Sequence, residues 1–320
     1  MALSADDRYY IKLKASYLYY YENYTQKQIA EQLKVSRTTL NKLLGEARKD
    51  GTVQIEIHDK KNFAKLIELE NALCKKFNFK GAKVVDCLLE DNDIVKDRIG
   101  KAAATYFDKL IRSGMCVGIG WGKTIERMAG YVTPLSNVTN SEFVTILGGS
   151  GNLEYQIHAN SLTEKISNLY NNSTNHHIYA PMVASNQKLS EALKNDEGIK
   201  KVMNKMNFLD LVIIGIDGDS EASTTVMTGN IPKHYLDLLD KAHSVGNICA
   251  RFYDIEGNIC VKELNDRVTA IPLDVLKKTP LVMAVAGGKR KIKSMIGGAR
   301  GGYYNILVTD ERTAKAMLNY

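Results

Sequence analysis

Thr25 to Ile57 reads TQKQIAEQLKVSRTTLNKLLGEARKDGTVQIEI, and this stretch decides how the N-terminal part of the chain folds. Thr25 followed by Gln28 is a capping-box pattern, which predicts the start of a helix. Lys34 and Val35 interrupt the apolar spacing of that helix, and Ser36 is a second N-cap. The helix that follows places its apolar residues on one face: Leu40, Leu43, Leu44 and Ala47.

The second helix ends near Asp50-Gly51, and residues 52–57 then alternate polar and apolar side chains, as a half-buried strand does. Two short helices and a trailing strand predict a winged helix-turn-helix that binds operator DNA. An ordinary helical hairpin is the alternative. Polar side chains of the types that contact bases and phosphates are the candidate DNA-binding residues: Gln26, Ser36, Arg37, Thr38, Thr39, Asn41 and Lys42.

The charge of this segment favours DNA binding. Residues 34–49 carry five basic side chains and one acidic one, a net charge of +4, while the whole 320-residue chain carries +7. A basic strip on one element is what phosphate neutralisation requires.

A helix is also predicted before the motif, over Arg8 to Tyr24, where Tyr10, Tyr17 and Tyr21 recur at helix-compatible spacing. These rings could stack on nucleic acid, but packing beneath a small three-helix domain is the preferred interpretation.

Composition and length predict two domains in a water-soluble chain. The sequence is 44% hydrophobic and 25% charged, without an apolar run long enough for a membrane span or a signal peptide, so we expect a cytoplasmic protein with no membrane partner. Five scattered cysteines show no metal-binding spacing, and neither a metal nor a cofactor is expected. We expect a DNA-binding domain over residues 1–57, a linker over 58–62 and a second domain over 63–320.

Strands alternate with helices in this second domain. Apolar strand-like runs occur at 82–87, 115–119, 143–147, 210–216, 281–286 and 305–308, and helices are predicted at 63–79, 92–111 and 123–132. This alternation predicts an α/β fold, a doubly wound and mostly parallel sheet with helices on both faces. The helix over 63–79 could pack on its own domain or pair with another subunit.

Three glycine-rich loops follow predicted strands, at 120–124, 148–152 and 287–291. Ligands of doubly wound sheets bind beyond the carboxyl ends of the strands, and backbone amides at such loops suit a phosphate. The first loop adds Lys123 and Thr124, and the third contains Lys289, Arg290 and Lys291. The loops together predict a site for a small anion.

These motifs resemble the SorC family of sugar-responsive bacterial transcription regulators. The resemblance rests on QKQIAEQLKVSRTTLNKLL, VGIGWGKT, LGGSG followed by HAN, ARFYDIEGNI, VAGGKRK and YNILVTDERTA, which span nearly the whole chain in family order. It implies an effector domain related in fold to sugar-phosphate isomerases and deaminases, without catalysis, that binds a phosphorylated sugar and assembles as a homo-oligomer, a dimer or tetramer.

The resemblance also implies the effector-binding residues: Gly120, Gly122, Lys123, Thr124, Gly149, Ser150, His158, Asn160, Asp254 and Lys291, with Arg251 as a further candidate. Arg251 could instead pair with an acid on the surface. Residues 151–157 match no family pattern.

Two alternatives stay open. The same fold and anion loops support sugar-phosphate isomerisation or deamination, although neither Asp254 nor His158 belongs to an acid-base pair with catalytic spacing. The second domain could also serve only to oligomerise a DNA-binding protein, which would leave the glycine-rich loops unexplained.

Overall fold

The computed structural model describes residues 5–55, 63–86, 92–151, 155–218, 223–227, 229 and 231–320. The chain divides into two compact units, Met1–Lys61 and Asn62–Tyr320. Within the described ranges, no helix is long and apolar enough to cross a membrane.

The described residues of the first unit, 5–55, form three helices. They are α1 (Ala5–Tyr20), α2 (Gln26–Leu33) and α3 (Arg37–Lys49). The capping box of α2 is confirmed, because Gln28 N donates to Thr25 Oγ1 at 3.4 Å and Thr25 N donates to Gln28 Oε1 at 2.9 Å. Ser36 caps α3 as predicted, accepting from Thr39 N at 3.0 Å. Lys34 is left-handed at φ 52°, which ends α2 and makes the turn.

The predicted wing strand is wrong over its described part. Residues 52–55 form no strand, and Glu56 and Ile57 lie outside the described residues. Instead, Val53 N donates to Ala47 O at 2.9 Å and Thr52 N donates to Asp50 Oδ1 at 3.1 Å. The backbone therefore turns back on the end of α3, and alternation alone could not supply the partner strand that a ladder needs.

The prediction that the α1 tyrosines pack beneath the unit is confirmed for Tyr19 and Tyr20, which pack against its core, and is wrong for the three at helix-compatible spacing. Tyr10, Tyr17 and Tyr21 are exposed, and the buried positions of α1 are instead Lys12, Ala15, Ser16 and Leu18. Two ion pairs also join α1 to α3. Arg8 Nη2 lies 2.8 Å from Glu46 Oε1, and Lys12 pairs with Asp50. Apolar residues surround α1 on several sides, so their spacing could not show which face turns inward.

The second unit is an α/β structure, as predicted. Its strands are β1 (Gly81–Val85), β2 (Cys116–Ile119), β3 (Glu142–Thr145), β4 (Thr174–His176), β5 (Leu211–Ile214), β6 (Gly246–Ile248), β7 (Arg251–Tyr253), β8 (Leu281–Val285) and β9 (Ile306–Asp310). Seven of them form one parallel sheet in the order β1-β9-β8-β5-β2-β3-β4, and β6 and β7 form an antiparallel hairpin. The short polar strand β4 and the hairpin were not predicted.

Helices cover both faces of this sheet. They are α4 (Phe63–Phe77), α5 (Asn92–Leu110), α6 (Lys123–Tyr131), α7 (Ala159–Ser167), α8 (Gln187–Asn195), α9 (Glu197–Lys205), α10 (Thr224–Met227), α11 (Lys233–Lys241), α12 (Lys262–Asp266), α13 (Leu273–Lys278), α14 (Ile292–Arg300) and α15 (Glu311–Asn319). Short 3₁₀ turns lie at Tyr155–Ile157, Met206–Phe208 and Lys289–Lys291.

Successive strand residues point to opposite faces, and this divides the core into two layers. Ile213 and Val285 belong to the layer that also contains residues of α5, α6 and α7. Val212 and Ala284 belong to the other layer, with residues of α4, α14 and α15. The sheet is therefore doubly wound.

The ion pair between Lys12 and Asp50 makes the stability of the first unit depend on pH in the acidic range. Hydrogen bonds from Lys12 and Thr52 lower the pKa of Asp50 to about 2. Because the folded state holds this pKa below its unfolded value, the stabilisation is complete above about pH 4 and is lost as the pH falls towards 2. We expect Asp50→Asn to lower the melting temperature at pH 7 and to leave it nearly unchanged at pH 2.

Thermal unfolding of both proteins across this pH range checks the expectation. Asp274→Asn is the control, since Asp274 lies 4.0 Å from Lys278 and is mostly exposed. An equal destabilisation by Asp50→Asn at pH 2 and pH 7 would show that the charge of Asp50 is not responsible.

Candidate functional site

α3, the second helix of the predicted helix-turn-helix, presents a polar face opposite its buried one. Leu40, Leu43, Leu44 and Ala47 are buried, as predicted. Arg37, Thr38, Asn41 and Lys42 are exposed on the other side, and their side chains make no hydrogen bond or ion pair to any residue that the structure describes. Such side chains are free to contact base edges and phosphates.

Two other predicted DNA-binding residues form hydrogen bonds that cap the N-terminus of α3. Ser36 Oγ and Thr39 Oγ1 lie 2.8 Å apart, and Ser36 Oγ also accepts from the backbone of Thr39. Gln26 is the first residue of α2 and is half-buried. Among the predicted residues, the face formed by Arg37, Thr38, Asn41 and Lys42 is therefore the strongest candidate for base reading.

A cavity of about 270 Å³ lies at the carboxyl ends of the central strands of the second unit. The chain proceeds from β2 to β3 and β4 on one side, and then continues with β5, β8 and β9 on the other. The cavity is lined by residues that follow β2, β5 and β8. It therefore lies at the topological switch point, where doubly wound sheets bind ligands. We call it the effector cavity; its lining residues are Lys96, Trp121, Gly122, Lys123, Thr124, Ile125, Gly215, Ile216, Asp217, Asn247, Cys249, Val285 and Lys291.

The first glycine-rich loop reaches this cavity through Gly122, Lys123 and Thr124. Gly122 has φ 124° and is the N-cap of α6 without a side-chain cap. Glycine adopts this conformation without strain, and the first backbone amides of α6, at residues that line the cavity, have no side-chain cap. Gly120 does not line the cavity. A Cβ at Gly120 would lie 2.9 Å from Ile213 O, so glycine is needed there for contact with β5.

The third loop reaches the cavity through Lys291, which is half-buried. Burial lowers the pKa of Lys291, the carboxylate of Asp217 raises it, and the charge of Lys96 lowers it further. Among the residues that the structure describes, the cavity lining carries three lysines, Lys96, Lys123 and Lys291, and one carboxylate, Asp217.

The described residues of the second glycine-rich loop, 148–151, do not line the cavity. Gly149 N donates to Ala180 O at 2.9 Å, and Met182 N donates to Gly149 O at 2.7 Å. Ser150 is buried, and His158 precedes α7 as its N-cap. Asn160 exchanges hydrogen bonds with the backbone of Ile178, at 3.1 and 3.3 Å. None of these four predicted residues belongs to the cavity lining.

Arg251 and Asp254 lie away from the cavity as well. The guanidinium of Arg251 donates to three backbone carbonyls, those of Ile271, Asn265 and Ala270, at 2.8, 3.0 and 2.8 Å. It contacts neither an effector cavity nor a surface acid. Asp254 Oδ1 accepts from Glu256 N and Asn258 N, which closes the turn after β7. Both side chains therefore have structural partners in place of the predicted ligand.

Asp217 and Asn247 are cavity residues that sequence reasoning missed. Asp217 Oδ2 accepts from Ser223 Oγ at 2.9 Å and from Thr225 N at 3.1 Å. Asn247 Nδ2 donates to Ser223 Oγ at 3.1 Å, and Asn247 Oδ1 accepts from Thr225 Oγ1 at 3.2 Å. The position of Asp217 just after a buried strand was a usable signal. Asn247 had none, because it belongs to the unpredicted hairpin.

The chain is similar to known proteins over most of its length. The profile of a family described as a putative sugar-binding domain matches residues 61–319. The sorbitol operon regulator of Klebsiella pneumoniae is 29% identical over 309 residues, 96% of each chain. The crystal structure of that full-length regulator has a TM-score of 0.74 and 27% identity, over 97% of this chain and 98% of that one. The chain belongs to the SorC family of transcription regulators.

Two further relatives support the same assignment. The deoxyribonucleoside regulator of Bacillus subtilis (strain 168) is 29% identical to this SorC-family chain over 309 residues, 97% of each. A transcriptional regulator from Streptococcus pneumoniae TIGR4 has a TM-score of 0.75 and 27% identity, covering 80% of this chain and 97% of that one. The predicted family, fold class and regulatory role are confirmed. Among the described residues, no group of histidine, cysteine or acidic side chains could hold a metal ion.

The exposed face of α3 generates a prediction for this SorC-family regulator. Arg37→Ala should weaken binding to a specific operator about 10- to 100-fold, because a side chain that reads a base contributes about 1–3 kcal/mol. Fluorescence anisotropy with operator DNA and with unrelated DNA measures the loss. Arg127→Ala, which removes an exposed arginine from α6, is the control and should bind DNA normally. If Arg37→Ala binds the operator as tightly as Arg127→Ala does, Arg37 takes no part in operator recognition.

Proposed function

We propose that a phosphorylated sugar is the effector of this transcription regulator and that it binds in the effector cavity. The observation that carries the proposal is the convergence of Lys96, Lys123 and Lys291 with the uncapped N-terminus of α6 at one end of the sheet. Cationic side chains and free backbone amides together form a site for a phosphate.

The environment of Lys291 favours an anion over a neutral sugar. Burial disfavours the charged form of this lysine, and Asp217 offsets only part of the surrounding positive charge. A bound phosphate would supply the missing negative charge and restore the pKa of Lys291 towards its ordinary value. A neutral sugar would cover the same lysine without compensating its charge.

The other side of the cavity offers groups for sugar hydroxyls. Asp217 and Asn247 line it, and both are held in position by Ser223 and Thr225. A ligand hydroxyl that hydrogen-bonds to Asp217 or Asn247 would join this network. Oriented polar groups of this kind provide specificity in small-molecule sites.

These contacts also argue against an isomerase or deaminase. Such a reaction needs a carboxylate or imidazole that can accept a proton from the substrate. The carboxylate of the cavity, Asp217, accepts hydrogen bonds from Ser223 and Thr225, and His158 does not line the cavity. Regulation without catalysis is therefore the function that we propose.

Effector and operator binding would be linked through the assembled protein. We propose that residues 1–57 bind DNA, that residues 58–62 link the domains, and that residues 63–320 bind the effector and form a homo-oligomer. Two DNA-binding domains could then contact two half-sites. The effector changes operator affinity by its differential affinity for the two arrangements, about 1–3 kcal/mol in comparable systems.

A thermal-shift panel tests the proposed effector class. Because a ligand that binds the folded state stabilises it by about 2.7 kcal/mol at 100 times its Kd, one or more sugar phosphates should raise the melting temperature by a few degrees. Each corresponding free sugar is the control and should give little change. A panel in which free and phosphorylated sugars behave alike would contradict an anion site.

Lys291→Ala tests the site itself. Loss of a charged hydrogen-bonding partner costs about 1.5–3 kcal/mol, so effector affinity should fall at least tenfold while operator binding without effector is unchanged. Titration calorimetry with the sugar phosphate found above measures the affinity. Lys293→Ala is the matched control, because it removes an exposed lysine two residues away that does not line the cavity. Equal losses in both variants would indicate a diffuse charge effect.

A further inference from the structure

A groove of about 480 Å³ lies between α1 and α3 in the first unit, and we call it the α1–α3 groove. It brings Arg8 and Ile11 of α1 beside Thr38 and Lys42 of α3. Because Thr38 and Lys42 also belong to the exposed polar face of α3, the groove continues that face onto α1. Resting on the proposed function, in which residues 1–57 bind DNA, we propose that Arg8 contacts a backbone phosphate of the operator and that α1 forms part of the DNA-binding surface.

The charge of the α1–α3 groove favours an anionic partner. Of its described lining residues, Arg8 and Lys42 are cationic and none is acidic. Asp6 and Asp7 precede Arg8 in the first turn of α1, but neither lines the groove. Both cations are exposed, so an anion can reach them. When the polar face of α3 contacts bases, the nearest anions are the phosphates of the DNA backbone.

The guanidinium of Arg8 has nitrogens that remain available for a phosphate. Nη2 donates to Glu46 Oε1 at 2.8 Å and to Glu46 Oε2 at 3.0 Å. Nε and Nη1 donate to no residue that the structure describes. A guanidinium carries N–H donors on all three nitrogens and is always charged. Arg8 can therefore donate to a phosphate oxygen while its ion pair with Glu46 remains.

The two cationic side chains that join α1 to α3 differ in their surroundings. Lys12 is buried and pairs with Asp50, so its role is structural. The side chain of Arg8 is 56% exposed, and water screens its pair with Glu46. Exposed ion pairs contribute little to stability. Truncation of Arg8 should therefore leave the first unit folded, and its effect on DNA binding can be measured.

The salt dependence of DNA binding tests the phosphate contact. Each such contact contributes about 0.9 to the slope of log affinity against log salt concentration, whatever the base sequence. In the full chain, Arg8→Ala should reduce this slope by about 0.9 and weaken binding about tenfold. The loss should be the same for an operator selected from random DNA with the unmodified protein and for an unrelated duplex of equal length. Arg8→Lys keeps the charge and should retain the slope.

Glu46→Gln is the matched control, because it removes the same ion pair and leaves the charge of Arg8 in place. Fluorescence anisotropy at several salt concentrations measures all variants on both duplexes. Glu46→Gln should bind at least as tightly as the unmodified chain, with an undiminished slope. If Glu46→Gln and Arg8→Ala weaken binding alike, the ion pair supports the fold and Arg8 makes no phosphate contact.

Arg37→Ala, measured beside these variants, separates this proposal from the assignment of DNA binding to the first unit. If Arg37→Ala loses operator affinity while Arg8→Ala keeps both affinity and slope, the first unit binds DNA without Arg8. If neither variant changes binding, the assignment itself is wrong. A loss by Arg8→Ala on the selected operator alone, with an unchanged slope, would make Arg8 a base-reading residue. Each of these three results overturns the phosphate contact.

Neutralising single phosphates locates the contact on the DNA. Uncharged methylphosphonate groups replace the phosphates of the selected operator one position at a time. At one position in each half-site, the unmodified chain should lose about tenfold in affinity, the loss expected for a charged hydrogen bond, while Arg8→Ala loses nothing further. If the losses from the two changes add at every position, Arg8 contacts no phosphate of the operator.

Discussion

The parallel pairing of β2 with β5 is the contact on which the effector cavity depends. Val117, Gly118 and Ile119 of β2 lie opposite Leu211, Val212 and Ile213 of β5, although more than ninety residues separate them in the chain. The connections leave these two strands toward opposite sides of the sheet, and a crevice remains between them. Close contact at this junction requires glycine. A Cβ at Gly118 would lie 3.1 Å from a methyl carbon of Val212 in β5 and 2.8 Å from one of Ile146, so a larger residue would displace these side chains.

This junction also concentrates positive charge where water is partly excluded. Lys123 follows β2, Lys291 follows β8, and Lys96 belongs to α5. Water and salt would screen the charges of exposed lysines that lie far apart. The charged form of a half-buried lysine near another cation is instead disfavoured unless an anion binds beside it. The same site contains the network of Asp217, Asn247, Ser223 and Thr225. A ligand in the cavity can therefore affect residues 223–227 through hydrogen bonds that the protein already makes.

A small core, two helix N-caps and two ion pairs stabilise the DNA-binding unit. Its core is small, containing Ala15, Leu18, Ile29, Ala30, Leu40 and Leu44. The N-caps at Thr25 and Ser36 each contribute about 1 kcal/mol to the free energy of unfolding, which matters in a small domain. Of the two ion pairs between α1 and α3, that of Arg8 with Glu46 is largely exposed and contributes little, whereas Lys12 is buried and its pair with Asp50 contributes more. The burial of Ala15 and Leu18 against α3 decides which side of α1 faces the solvent.

Local chemistry was sufficient for the caps of α2 and α3, the buried face of α3, the alternation of strands and helices, and the placement of Lys123 and Lys291 at strand ends. Each depends on residues close together in the chain, so the sequence alone determined them. Tertiary structure decided the rest. Gly149, Asn160, Arg251 and Asp254 carry suitable groups for a ligand, but backbone groups from other segments or from their own turn occupy them. Asp217 and Asn247 reach the cavity only because the sheet order and the hairpin bring them there. The polar partners of a side chain, and the face that a helix turns inward, depend on residues far away in the chain, which spacing and composition do not specify.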